Sequence, residues 1–142
     1  MRHIKSADNP RFRSLLKLHQ SSKERRKAGL SLLDGVHLVS AYLQRIGAPS
    51  EVVVNRSGLE DAEIASLLES PLIPEPLVLS DALFRELSSV ATPTGLIAAV
   101  RTPRAAALPH TPGPCVMLED IQDPGNLGSI LRSAAAAGMR EV

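Results

Sequence analysis

The sequence predicts an α/β protein, on three observations. Short runs rich in Val, Ile and Leu alternate with longer stretches whose apolar residues recur at helical spacing, the pattern of strands and helices packed in layers. Glycines, prolines and capping residues fall at the junctions, where chain reversals need them. Near residue 102 the alternation breaks at a proline-rich stretch and then starts again.

Asn9-Pro10 opens the first helix. Asn is a good N-cap, and Pro at the first helical position loses nothing because its missing N–H would be unpaired there. Phe12, Leu15, Leu16 and Leu18 follow, with Arg11, Arg13 and Lys17 between them, which predicts an amphipathic helix with a cationic outer face. Ser21 or Ser22 caps a second short helix, SKERRKA, and Gly29 ends it. Leu30, Leu32 and Leu33 form a short buried strand, and Asp34-Gly35 turns the chain into a helix running through Val39 and Tyr42 to Ile46, stopped by Gly47. Residues 51–55, EVVVN, are a β-branched strand. Residues 58–70, GLEDAEIASLLES, read as one helix with acids in its first turn, where the helix dipole favours them. Pro71, Pro74 and Pro76 interrupt the chain before a third strand at residues 77–79. Ser80 caps a helix carrying Leu83, Phe84 and Leu87, and the turn Pro93-Thr94-Gly95 leads into a fourth strand at residues 96–100. Residues 1–101 thus read as one α/β sandwich.

Residues 102–114 hold Pro103, Pro109, Pro112 and Pro114, so they continue neither a helix nor a central strand and read as a linker. After it, residues 115–118 read as a buried strand with Cys115 as a small core residue. Residues 119–125 are a loop, and residues 126–137 a helix stopped by Gly138. A single β-loop-α unit cannot bury its own apolar faces, so residues 115–142 read as the start of a second domain.

Composition excludes several functions. The 142 residues are 44% apolar, with no Trp, one Tyr and two Phe, so RNA cannot be held by rows of aromatic stacking platforms. Cys115 is the only cysteine, which excludes an internal disulfide and a cysteine zinc site and suits the cytoplasm. His3, His19, His37 and His110 have no metal-ligand spacing, and no metal is assigned. The first residues lack the apolar run of a signal peptide, and no stretch is apolar enough to span a membrane. The net charge of +1 conceals an asymmetry: residues 1–27 carry nine Lys or Arg against Asp8 and Glu24, a balance of +7, and the remainder carries −6. A basic head on an acidic body points to a polyanionic partner, with a solvated helix face as the alternative.

The informative string is LEDIQDPGNLGSILRSAAAAG, residues 118–138. A strand delivers a Pro-Gly turn, Asn126 opens a helix, Gly128 admits a close backbone approach, and Arg132 projects from the second turn. Ser133 and the alanines after it make a narrow packing face. A helix N-terminus and a guanidinium fork both suit phosphate. Spacing alone favours an ordinary β-α unit with a surface arginine, and the string is neither a Walker loop nor a full dinucleotide fingerprint. Asp120 and Asp123 read as turn and cap residues.

Asp123-Pro-Gly-Asn-Leu-Gly followed after three residues by Arg132 resembles motif 1 of the SpoU/TrmH branch of the SPOUT methyltransferases. Asn9-Pro10, the basic run Lys23 to Lys27, and Leu32-Leu33-Asp34-Gly35-Val36 resemble that family's substrate-binding domain, and Ser80-Asp81 with Thr92-Pro93-Thr94-Gly95-Leu96 resemble its closing segment. Asp34 stands where the family more often has Glu, and Thr94 where it often has Gln. The resemblance implies a ribosomal-protein-like α/β/α sandwich over residues 1–101, a linker over 102–114, and the first β-α unit of a knotted SPOUT domain over 115–142. It implies transfer of a methyl group from S-adenosylmethionine to a ribose 2′-hydroxyl of rRNA or tRNA by a homodimer, with Arg132 near the target ribose, Asn126 shaping the pocket, and Glu119 as a third catalytic candidate. The cofactor pocket belongs to later motifs, so this chain is expected to be inactive alone and part of a protein of about 250 residues. Lys23, Arg25, Arg26 and Lys27 are the first candidates for RNA phosphate contacts, with Arg11, Arg13 and Lys17 behind them. A stand-alone RNA-binding module and a nucleotide-binding α/β protein are the competing readings.

Overall fold

Asn9 starts the first helix as the sequence predicts. Its Oδ1 accepts from the backbone N–H of Arg11 at 3.0 Å and of Phe12 at 3.5 Å, with Pro10 next in line. The computed structural model describes residues 1–90, 92–103 and 113–139, and the chain divides into two compact units, Met1–Pro103 and Arg104–Val142.

In the first unit the order is β1 (Arg2–Ile4), α1 (Pro10–Gln20), α2 (Ser22–Ala28), β2 (Leu30–Asp34), α3 (Val36–Arg45), β3 (Glu51–Asn55), a 3-10 turn (Gly58–Glu60), α4 (Ala62–Leu68), β4 (Leu77–Leu79), α5 (Asp81–Leu87) and β5 (Leu96–Arg101). The strands form one mixed sheet in the order β1-β4-β3-β5-β2. β4 pairs parallel with β1 and β3, while β5 runs antiparallel between β3 and β2.

Strict alternation along the inner strands builds a core on each face. Val53, Leu77, Leu79, Ile97 and Ala99 meet Phe12 and Leu15 of α1 and Leu83, Phe84 and Leu87 of α5. Val52, Val54, Val78, Leu96, Ala98 and Val100 meet Val39 and Tyr42 of α3 and Ile64 of α4. β3, β4 and most of β5 are buried on both faces, which is why they read as unbroken apolar runs. Tyr42 Oη donates to the Arg101 carbonyl at 3.0 Å, satisfying its one polar atom at the rim of the core.

Three elements of the first unit depart from the sequence expectation. β1 was not predicted: only Ile4 of its three residues is buried, so it carries no alternation to read. Residues 58–70 are not one helix, because Asp61 caps α4 from outside, its Oδ1 accepting from Glu63 and Ile64 at 2.9 and 3.0 Å. The residues before it turn as a 3-10 segment. β2 is half-buried rather than buried, as an edge strand pairing only with β5 among the described residues.

In the second unit, α6 (Pro124–Ala136) starts from Asp123, whose Oδ1 accepts from the Asn126 N–H at 2.7 Å. The expected strand at 115–118 is absent: Cys115 makes one isolated β-type pairing, and residues 116–123 have no regular structure. Cys115 is exposed, not a core residue, and Met117 is 91% exposed. An apolar run becomes a buried strand only when neighbouring strands flank it, and the described part of this unit offers none. Most of the expected linker, residues 104–112, lies outside the described residues. No helix among the described residues is long and apolar enough to cross a membrane.

Candidate functional site

The basic head of the sequence becomes the α1–α2 hairpin. Ser21 ends one helix and caps the next: its N–H donates to the Lys17 carbonyl at 3.0 Å, and its Oγ accepts from Glu24 at 3.2 Å. Gly29 closes α2 with φ of 64°, a left-handed conformation that costs glycine little. Lys17, Lys23, Arg26 and Lys27 are exposed, and none makes an ion pair among the described residues.

The other three cations are committed in part. Arg25 Nη1 donates to the carbonyls of Leu18 at 2.7 Å and His19 at 3.0 Å. These are orphan acceptors at the carboxyl end of α1, so Arg25 is a helix cap as well as a surface charge. Arg11 lies 3.6 Å from Glu51 and Arg13 lies 3.5 Å from Asp8. Burial pushes the Glu51 carboxyl above its ordinary value, and the Arg11 guanidinium pulls part of that back. Arg11 thus serves a half-buried carboxylate first. The sequence ranks Lys23, Arg25, Arg26 and Lys27 ahead of Arg11, Arg13 and Lys17; the structure leaves Lys17, Lys23, Arg26 and Lys27 as the open set among the described residues.

At the carboxyl end of β3 lies a polar knot that the sequence reading passed over. Asn55 is 7% exposed. Its Oδ1 accepts from the buried Gly58 N–H at 2.8 Å, and its Nδ2 donates to Ser57 Oγ at 2.9 Å and Asp81 Oδ1 at 2.8 Å. A Cβ on Gly95 would lie 2.6 Å from the Gly58 Cα, so two backbones touch here and neither position tolerates a side chain. The signal in sequence was an Asn ending an apolar strand three residues before a glycine. Across the same end of the sheet, Asp34 Oδ2 accepts from Ser88 Oγ at 2.7 Å and the Ser89 N–H at 2.9 Å, and Asp34 Oδ1 is buried without a partner among the described residues.

In the second unit, Arg132 folds back along α6. Its Nη2 donates to Ser129 Oγ at 3.1 Å, and a Cβ on Gly128 would lie 3.3 Å from Nη1. The Gly-to-Arg spacing of four places both residues on one helix face. Among the described residues, Gly128 clears room for the guanidinium of its own helix. Asn126 and Glu119 are exposed, and their side chains make no hydrogen bond among the described residues. The structure thus brings Arg132 to Gly128 and Ser129, and does not join it to Asn126 or Glu119.

The first unit is a mixed sheet covered by helices on both faces, with the basic α1–α2 hairpin beside it, and its relatives make the class of the domain specific. Residues 9–98 match the MRM3-like substrate binding domain, and the chain belongs to that family. It is 32% identical to the 23S rRNA (guanosine(2553)-2'-O)-methyltransferase RlmP of Bacillus subtilis, over 100% of this chain and 54% of that protein. A solved RNA 2'-O ribose methyltransferase superposes with a TM-score of 0.79 at 31% identity, over 96% of this chain and 53% of that one. The SpoU methyltransferase AviRb from Streptomyces viridochromogenes, solved in complex with AdoMet, superposes with a TM-score of 0.74 at 26% identity, over 92% and 51%. The SpoU/TrmH resemblance read from the sequence is borne out. The chain spans about half the length of the curated relatives it matches first.

Proposed function

We propose that this chain is the RNA-binding portion, with the first catalytic motif, of an enzyme that methylates a ribose 2′-hydroxyl of rRNA or tRNA. The observation that carries the reading is continuous similarity to RNA 2′-O-methyltransferases along the whole chain, including the Asp123-to-Arg132 string. Residues 1–101 are the substrate-binding domain, of ribosomal-protein-like type, and residues 102–114 the linker. Residues 115–142 open a knotted SPOUT domain that works as a homodimer in the cytoplasm.

S-adenosylmethionine supplies the methyl group in this reading. Residues 113–139 do not themselves fit it. They provide one helix and an irregular segment, with Met117, Ile121, Leu127 and Leu131 exposed, whereas an adenosine group needs enclosing apolar walls. Their contribution is electrostatic. Arg132 carries a permanent positive charge, since a guanidinium keeps its protons in proteins, so it is a poor base. Placed beside the target ribose, it stabilises the oxygen as the hydroxyl passes its proton to an RNA phosphate oxygen, which lowers the barrier without Arg132 accepting that proton. Asn126 shapes the pocket and Glu119 stands as a third catalytic candidate. On the substrate side, Lys23, Arg26 and Lys27 contact RNA phosphates; Lys17, Arg11, Arg13 and Arg25 rank behind them.

The test is calorimetric binding of S-adenosylmethionine to this chain and to a version continued through the remaining reading frame. Binding by the longer protein alone is expected. In that protein Arg132→Ala should lower the methylation rate by about a hundredfold or more, with RNA affinity unchanged. If neither chain binds the cofactor, the enzyme reading falls and a stand-alone RNA-binding module takes its place.

A further inference from the structure

The parallel strands β3 and β4 are neighbours, yet the chain leaves them in opposite directions. After β3 it passes to α4, whose Ile64 lies in one core; after β4 it passes to α5, whose Leu83 and Phe84 lie in the other. Connections that diverge to opposite faces open a crevice beyond the strand ends, the place where open α/β sheets take ligands. Such a cavity is present, with a volume of about 530 Å³, lined by residues that end β1 and β4 and by Arg56 and Leu59, which follow β3. That is enough room for one nucleotide.

Its lining is amphipathic. Ile4, Val78 and Leu79 are buried apolar residues of the strand ends. Lys5 and Arg56 also line it; both are exposed, and neither makes an ion pair among the described residues. Asp81 completes the set. Its Oδ1 is held by Asn55 Nδ2 at 2.8 Å, so the carboxylate is fixed in place by a residue that is itself buried. An occupant must therefore offer a flat apolar body, a negative charge for the two cations, and an N–H or O–H donor for the carboxylate. A ribonucleotide has all three.

We propose that this cleft holds one unpaired nucleotide of the RNA strand, with Lys5 and Arg56 on its phosphates and Asp81 accepting from its base or ribose. The inference rests on the reading of this domain as RNA-binding and adds a second contact region, separate from the α1–α2 cations. It also gives the Asn55 knot a purpose, since that knot holds Asp81.

The experiment titrates a short single-stranded RNA against the whole 142-residue chain at several salt concentrations. Lys5→Gln with Arg56→Gln should weaken binding about tenfold and flatten the salt dependence by about 1.4, the loss of two single-strand phosphate contacts. Both residues are exposed, and an unchanged circular dichroism spectrum checks the fold. If this pair binds RNA like the wild type while Lys23→Gln with Arg26→Gln does not, the cleft proposal is overturned and the RNA-binding reading survives. If the wild type binds no RNA, both fall. Guanosine monophosphate serves as the competing probe. Should it bind the wild type as tightly as the RNA does, the occupant is a free nucleotide and the RNA assignment of the cleft is wrong.

Discussion

At the scale of single residues, Asn55 carries more of the domain than its position at a strand end suggests. It satisfies the buried Gly58 N–H, ties Ser57, and anchors Asp81. Removing one partner from a buried hydrogen bond leaves the other desolvated and unpaired, at a cost of about 1–3 kcal/mol. Asn55→Ala leaves the buried Gly58 N–H without its partner, so a loss of about 2 kcal/mol or more is expected in urea denaturation, seen as a lower midpoint at constant slope. A midpoint shift under about 0.5 kcal/mol, the level of an ordinary surface change, would show that the knot is incidental. The sequence displayed the Asn and both glycines but not their meeting. Asn55 and Asp81 are 26 residues apart, and only the parallel pairing of β3 with β4 brings their strand ends together. Arg132 was different: its partner Ser129 and the space over Gly128 lie within one helical turn, yet spacing alone left it a surface arginine, and the motif resemblance singled it out.

At the scale of elements, capping chemistry made most boundaries legible. Asn9, Ser80 and Gly29 act as the sequence predicts, because a cap and its helix are neighbours in the chain. Strand status was legible where both faces are buried, as in residues 51–55 and 77–79. It failed where context decides: β1 exists because β4 offers it a parallel edge, and residues 116–118 have no such edge among the described residues. The cationic hairpin shows the same division. Lys23, Arg25, Arg26 and Lys27 look equivalent in sequence, yet Arg25 spans back to the carbonyls that end α1. Hydrogen bonds from a charged donor contribute about 1.5–3 kcal/mol, less for a half-exposed group. Arg25→Ala should therefore destabilise the domain by about 1 kcal/mol or more, while Arg26→Ala stays within about 0.5 kcal/mol of wild type and weakens RNA binding. Thermal unfolding and RNA titration on the two variants separate these roles. Equal stability of the two would mean that the Arg25 contacts contribute nothing.

At the scale of the molecule, the two cores of the sheet draw every member from residues 4–100. Residues 104–142 add one buried apolar side chain among those described, Ala134. α6 has 13 residues, and an isolated helix shorter than about 12–15 residues is marginal in water. Stability should therefore reside in the first unit. A chain ending at Pro103 is expected to unfold in one cooperative transition, with its midpoint within about 3 °C of the 142-residue chain, since a domain of this size shifts by about 4–8 °C per kcal/mol. Residues 104–142 alone should show little helical signal. A drop of more than about 6 °C on truncation would mean that the sheet depends on residues after Pro103 for at least 1 kcal/mol. An unchanged midpoint would instead identify residues 1–103 as a self-sufficient substrate-binding domain, on which the cleft and the α1–α2 cations can be studied apart from any catalysis.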